Sequence, residues 1–381
     1  MKVLFLTKYY PPSEGGIERY GQMLCSDLVA RGIGVEVVAA AEGRERTREE
    51  WVDGVKVHRL HPAMNFSSTP MTFDLPLLLK NIADGFDLLH INFPNPWTDL
   101  LYLALGRDRK AVMTYHSDIF RQSGTLSGFL LRAYHPFIHR VLAKVSAVVA
   151  SSPNCIVNSP FLSRQTDKCR VIPMPVDVAA LDGADPVQVG KERERFGKFV
   201  LFVGRLVEYK GLKYLIEALN QLDDTKLVVV GSGPLEQEHS KLVGQLGLQD
   251  RVCFLGRVSD ERRRLLYHAC RCFVLPSVSH AEGFGIVLAE AMACGKPVIS
   301  TQLQTGTSYV NLDGVTGYVV PPRAPELLAD KINVLMRDDV IHQQLGDRAK
   351  RRAVKEFDRS IVTEKTVNLY EEVMSRNRFA D

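Results

Sequence analysis

A chain of 381 residues is too long for one ordinary hydrophobic core and suits two domains of roughly 150 to 200 residues. Its composition, 45% hydrophobic and 24% charged, is that of a folded globular protein, and a net charge of only +4 excludes a strongly basic nucleic-acid binder as the leading reading. The seven cysteines include no CxxC pair, so packed, reduced thiols are expected rather than disulfides or zinc ligands. The first apolar run, Val3–Leu6, is far shorter than a signal-peptide core, and no stretch approaches the ~20 apolar residues of a membrane span. A cytoplasmic protein without a nucleic-acid partner is expected.

Taken in order, KVLFLTKYY reads as a buried strand, and the loop PPSEGG feeds a helix over Ile17–Arg31. Apolar runs follow at VEVVAA, VKVHRL, DLLHIN, AVMTYHS and AVVASS, separated by segments of helical length. That alternation predicts a parallel, doubly wound sheet covered on both faces. VIPMPVD, with two prolines, reads as a crossing between domains. A second series, FVLFVGRL, KLVVVGSG, VCFLGRV, CFVLP and PVIST, alternates with helical segments such as GLKYLIEALNQL and DERRRLLYHA, so the second domain is of the same class. The chain ends on an amphipathic stretch, Ile361–Met374. In doubly wound folds ligands sit at the carboxyl ends of the strands, and Gly15, His116, Arg205, Gly231 and Glu282 each follow a predicted strand.

The richest segment is EGFGIVLAE, which sets Glu290 eight positions after Glu282, with seven residues between them. Gly283, Phe284 and Gly285 read as a loop entering a helix over Ile286–Ala293. The unpaired N–H groups and dipole of that helix make a pocket for a phosphate or a hydroxyl-rich ligand, with Glu282 at its mouth and Glu290 about two turns along. GRLVEYKG supplies Arg205 and Lys210. Fixed cations of this kind stabilise a departing diphosphate more in the transition state than in the ground state. In the first half, GGIER opens a helix at Gly16 without the GxGxxG of a dinucleotide site, and TYHSD places His116 at a strand end. A lone histidine is more often structural than functional. His135 and His139 have helical spacing but enclose Pro-Phe-Ile, not the glutamate of a zinc protease, and read as structural or interfacial. GSGP, with Gly233, and FLGRV, ending at Val258, are weak nucleotide-loop signals.

Together these motifs, above all EGFGIVLAE and the GR followed by KG, resemble the retaining nucleotide-sugar glycosyltransferases of family 4, over essentially the whole chain. The resemblance implies an α/β fold of two doubly wound Rossmann-like domains facing across a cleft, the GT-B type. It assigns residues 1–172 to an acceptor-side domain and 173–357 to a nucleotide-sugar-binding domain, and 358–381 to a terminal helix packed back on the first. The implied activity moves a hexose from a nucleotide-diphospho-sugar to a glycan or lipid-linked acceptor with retention of configuration. Glu282, His116, Arg205 and Lys210 would then be catalytic, and Gly16, Arg205, Lys210, Gly233, Val258, Glu282, Phe284, Gly285 and Glu290 would bind the donor. No cofactor and no metal are expected, since no DxD motif occurs and the basic pair stands where other transferases use a metal. SSPN followed by CRVIP is similar to bacterial lipopolysaccharide and polysaccharide enzymes that transfer mannose or a deoxyhexose such as rhamnose from GDP. One departure is IPMPVD, where the family commonly has a Gly-containing pair; it bears on hinge stiffness.

Two other classes compete. A nicotinamide-dependent oxidoreductase needs GxGxxG and an acidic residue about 20 positions on, a combination the sequence lacks. A catalytically inert nucleotide-sugar or lipid binding protein on the same scaffold is the other alternative, and intact Arg205, Lys210, Glu282 and Glu290 argue against it. Finally, no acidic residue occurs from Ile119 to Thr166, whereas Arg121, Arg132, Arg140, Lys144 and Arg164 do. Within that stretch Phe129, Leu130, Ala133, Tyr134, Phe137, Ile138, Val141, Leu142 and Val145 share a helical face opposite Arg132, His135 and His139. Either this face packs on the sheet, or it makes a peripheral contact with an anionic membrane at the inner face of the plasma membrane.

Overall fold

The computed structural model describes residues 1–13, 15–43, 45–66, 69–105, 109–118 and 125–376. It divides into two compact units, Met1–Pro175 with Arg359–Asp381, and Val176–Asp358.

The first unit contains β1 Lys2–Leu6, β2 Gly34–Ala40, β3 Arg48–Val52, β4 Val55–Leu60, a hairpin of β5 Met64–Phe66 and β6 Thr69–Met71, then β7 Leu88–Phe93, β8 Ala111–Tyr115, β9 Ala147–Ala150 and β10 Cys169–Val171. Its main sheet runs β10-β9-β8-β7-β1-β2-β4-β3. Every pairing is parallel except β3 with β4. β7 and β8 are buried along their whole length, as strands covered on both faces must be. β3, REEWV, is a charged edge strand whose Glu49 and Glu50 pair with Lys56 and Arg59 of β4. Its polarity hides it from a search for apolar runs.

The helix Thr125–Lys144 settles one expectation in part. Ile138, Val141, Leu142 and Val145 lie in the core with Met113 and Val148, so in this half the apolar face packs on the sheet. Phe137 is 36% exposed, beneath the Arg140 guanidinium. Arg121 and the side chains of Phe129, Leu130, Arg132 and Ala133 lie outside the described residues. His135 and His139 both pack against the Phe161 ring, at 5.1 and 5.2 Å between centroids, a structural role.

The terminal helix, Arg359–Ser375, belongs to the first unit. Arg359 grips Asp27 through Nε, at 2.9 Å, and through its second amino group, at 2.5 Å, while Val362, Leu369, Tyr370 and Val373 are buried. The first crossing falls at Pro175–Val176, a little beyond the expected 172–173, because Val176 donates its N–H to the Phe357 carbonyl at 2.8 Å and bridges Asp358.

The second unit contains β11 Phe199–Val203, β12 Lys226–Val230, β13 Val252–Phe254, β14 Cys272–Leu275, β15 Val298–Thr301 and β16 Gly317–Val320. The order is β13-β12-β11-β14-β15-β16, all parallel. The chain builds outward from β11 to one edge, then returns to the other side of β11 with β14. The loops leaving β11 and β14 therefore diverge at a topological switch point, where open α/β sheets bind ligands. All seven cysteines are free thiols, and among the described residues no helix is long and apolar enough to cross a membrane.

Candidate active site

The two loops at the switch point carry the strongest sequence motifs. The loop after β11 delivers Arg205 and Lys210; the loop after β14 delivers Glu282. They are tied by the Val278 N–H to the Tyr209 carbonyl, at 2.8 Å. Lys210 Nζ stands 2.6 Å from Glu282 Oε2, with side chains only 11% and 9% exposed. Ser277 Oγ donates to the same oxygen at 2.9 Å. Burial alone would lower the Lys210 pKa, but the Glu282 carboxylate outweighs it and the value ends above the ordinary 10.5. The ammonium is therefore charged throughout the neutral range. Glu282 Oε1 has no hydrogen-bond partner among the described residues. Arg205 is exposed and meets no carboxylate among them. Sequence reasoning assigned Lys210 and Glu282 to one ligand; their direct pairing was not legible in it.

From Glu282 the chain passes through Gly283, Phe284 and Gly285 into the helix Ile286–Ala293. Gly285 caps this helix at φ +77°, a left-handed conformation that favours glycine. No side chain caps the helix; in its first turn the Leu288 N–H donates to the Gly285 carbonyl at 2.8 Å. Phe284 is buried edge-on against Phe357, 5.8 Å between centroids. Glu290, inside the helix and 6% exposed, accepts a hydrogen bond from Tyr267 Oη at 2.9 Å, and an Arg263 amino group lies 3.9 Å from its other oxygen.

The remaining loops close on these. Gly231 donates to the Gly256 carbonyl at 2.8 Å, and Leu206 to the Ser232 carbonyl at 3.0 Å. A Cβ at Gly233 would stand 2.4 Å from the Leu206 carbonyl oxygen, so this glycine is required by the neighbouring loop itself. Val258, half-buried, precedes Ser259, which caps the helix Asp260–Ala269. Arg205, Lys210, Gly233, Val258, Glu282, Phe284, Gly285 and Glu290 thus all lie on the loops and helix following strands of the second sheet.

The first unit holds the other two. Gly16 begins the helix Gly16–Ala30, with open space where a Cβ would stand. The first turn of that helix is already served by an anion, for the Glu18 carboxylate folds over Gly15. His116 follows β8, and its Nε2 lies 3.2 Å from Asn92 Oδ1, with the Tyr20 ring edge-on at 5.0 Å. An amide oxygen only accepts, so Nε2 carries the proton and Nδ1 a lone pair. Burial holds the His116 pKa down at about 3, hence the ring is neutral and suited to accepting a hydroxyl proton rather than to balancing a phosphate.

Beneath it lies a network that the sequence did not announce. Thr114 Oγ1 meets Tyr20 Oη at 2.8 Å and His90 Nε2 at 2.7 Å, and His90 Nδ1 bonds to Tyr370 Oη. His90 is also held at about 3, by burial and then by His116. Both folded-state values lie below the ordinary 6.5, so these two rings favour the folded state above that pH, and the advantage is lost as pH falls toward 3. The His116 ring resonance, assigned by its loss in His116→Gln, is expected not to titrate between about pH 8 and 5. A midpoint near 6.5 would remove the neutral-acceptor role.

Comparison with known proteins gives the family. Residues 14–180 match Glycosyltransferase Family 4, and residues 189–352 match Glycosyl transferases group 1. O-antigen chain mannosyltransferase C of Escherichia coli is 35% identical over 372 residues, 97% of this chain and 98% of that one. The chain belongs to glycosyltransferase family 4. This family 4 glycosyltransferase is also 35% identical to a D-rhamnosyltransferase of Pseudomonas aeruginosa, over 92% of its own length and 91% of the other's. In fold it is similar to Anabaena HepE, solved in complex with UDP, at a TM-score of 0.79 and 23% identity, covering 98% of this chain and all of that one. The enzyme is a hexosyltransferase with two Rossmann-like domains, and the oxidoreductase and inert-scaffold readings fall away.

Proposed function

We propose that this glycosyltransferase moves mannose or a deoxyhexose such as rhamnose from a nucleotide-diphospho-sugar, GDP-linked, to a glycan or lipid-linked acceptor in surface polysaccharide synthesis, with retention of configuration. The observation that carries the reading is the buried Lys210–Glu282 pair at the switch point, with exposed Arg205 on the same loop as Lys210. A buried ion pair contributes little to net stability compared with packed apolar side chains, so its presence at the switch point of the sheet is better explained by chemistry. Arg205 and Lys210 receive the charge that accumulates on the departing diphosphate, and Glu282 faces the charge that develops on the sugar. Glu290 accepts from the ribose hydroxyls, while Phe284, Gly285, Gly233 and Val258 bound the nucleotide. In the first unit, Gly16 and the neutral His116 act on the transferring sugar. The mannosyl and rhamnosyl relatives support the choice of hexose.

A thermal-shift screen of nucleoside diphosphates and nucleotide sugars tests the donor, because a ligand at 100 times its Kd stabilises by about 2.7 kcal/mol. GDP and its mannose or rhamnose conjugates are expected to raise the melting temperature, and an acceptor glycan to release GDP with or without EDTA. A shift with UDP compounds alone would reassign the donor. A cytoplasmic enzyme at the inner face of the plasma membrane fits the lipid-linked acceptor. There the exposed Phe137, Arg140 and Arg164 offer the described part of a peripheral contact. Flotation with anionic liposomes reads this directly, and salt-insensitive absence from the lipid fraction decides against it.

A further inference from the structure

We infer that two buried hydroxyls, Ser277 Oγ and Tyr267 Oη, are positioning groups that aim the two glutamates, and that each acts on a different kinetic constant. The inference rests on the donor-site reading above. Ser277 and Tyr267 are both 0% exposed, and each directs its hydroxyl at one carboxylate oxygen, Glu282 Oε2 and Glu290 Oε2, at 2.9 Å in both cases. Both donors sit on rigid supports. Thr301 Oγ1 bonds to the Ser277 carbonyl, fixing the loop to β15, and the Tyr267 ring packs 5.7 Å from Phe273 of β14.

The two pairs differ in what a donor does to them. Glu282 Oε2 is shared by Ser277 and Lys210. When a diphosphate draws the Lys210 ammonium to itself, Ser277 is left as the donor that keeps Glu282 in place, with Oε1 turned to the sugar. An interaction that gains weight as charge develops on the sugar appears in kcat. Glu290 is placed differently: Tyr267 binds its Oε2, while the nearby cation, Arg263, stands 3.9 Å from Oε1. Its tie to Tyr267 is unchanged between ground state and transition state, so its loss appears in donor KM.

Steady-state kinetics at saturating acceptor test this with Ser277→Ala and Tyr267→Phe, each of which deletes an oxygen and leaves the packing nearly intact. Ser277→Ala is expected to lower kcat roughly tenfold with donor KM within about twofold, and Tyr267→Phe to raise donor KM roughly tenfold with kcat within about twofold, as befits loss of a hydrogen bond to a charged group. A residue that acts only through its glutamate is non-additive with it. In a Glu282→Gln background Ser277→Ala should therefore change kcat less than about twofold. Ser277→Thr, which restores the hydroxyl, should recover kcat. The inference is overturned if both variants move the same constant, if the Ser277 and Glu282 effects multiply, or if the Thr variant is as slow as the Ala variant. Wild-type enzyme that turns over no nucleotide sugar would instead sink the donor-site reading, and with it the inference, before any variant is compared.

Discussion

Glu282→Gln is expected to lower kcat by about ten- to a hundredfold with a modest change in donor KM, whereas Glu290→Gln should chiefly raise that KM. The range follows from a charge-assisted hydrogen bond worth roughly 1.5 to 3 kcal/mol. Gln keeps the shape of Glu282 but removes the charge that holds Lys210 at 2.6 Å and that opposes the positive charge developing on the sugar. That loss is felt mainly in the transition state, hence in kcat. At Glu290 the amide keeps one acceptor oxygen, but Tyr267 Oη donates to the carboxylate there and the Arg263 guanidinium stands 3.9 Å from it, a group suited to a negative charge. An amide that turns its NH2 toward either loses the alignment for ribose, which costs ground state and transition state alike. Kinetics with saturating acceptor measure both constants. The same pattern in both variants, or a Glu282→Gln enzyme near wild type, would defeat the assignment.

Much of the fold is written in the apolar runs, because a parallel sheet buried on both faces must use nearly continuous Val, Leu and Phe. FVLFV and KLVVV are β11 and β12 almost to the residue, and DERRRLLYHA is the observed helix Asp260–Ala269. What escaped has the opposite chemistry. β3 is charged because it is an edge, β10 and β16 are short, and the β5–β6 hairpin carries no long apolar run.

At the site, residue types at fixed spacing marked Arg205, Lys210, Glu282 and Glu290, since each motif is local in sequence. Partners set by topology were invisible. Ser277 is five residues from Glu282 and could have been suspected, but Tyr267 reaches Glu290 from another helix, and His90, bonded on one side to Thr114, meets Tyr370 across most of the chain. The motif at Gly233 did not show that the neighbouring loop also demands a glycine there, a Cβ falling 2.4 Å from the Leu206 carbonyl oxygen. Periodicity likewise placed Ile138, Val141, Leu142 and Val145 on one face but could not say what covers it; the sheet does.

Replacing the two cations should separate a structural role from a chemical one. Lys210→Ala strands the Glu282 carboxylate, 9% exposed, without its counter-charge. Breaking a buried pair from one side costs about 3 to 5 kcal/mol, because the remaining ion stays desolvated. For a unit of this size that is a fall in melting temperature on the order of 10 °C. The Lys210 pKa is raised above 10.5 in the folded state. Its stabilisation is therefore fully present below that pH and is lost only as pH climbs through the raised value, so the deficit should be constant across the neutral range. Lys210→Met combined with Glu282→Gln removes both charges and should recover most of the stability while leaving the enzyme inactive. Arg205 is exposed and has no carboxylate partner among the described residues, so Arg205→Ala should melt with the wild type. It should still lose turnover and nucleoside-diphosphate affinity, each by roughly tenfold or more, since a guanidinium bonding to phosphate is a charge-assisted contact. Calorimetric melting and diphosphate titration of the three variants decide it. A Lys210→Ala enzyme as stable as wild type would deny the pair its structural weight, and unchanged diphosphate binding in both single variants would remove Arg205 and Lys210 from the donor site.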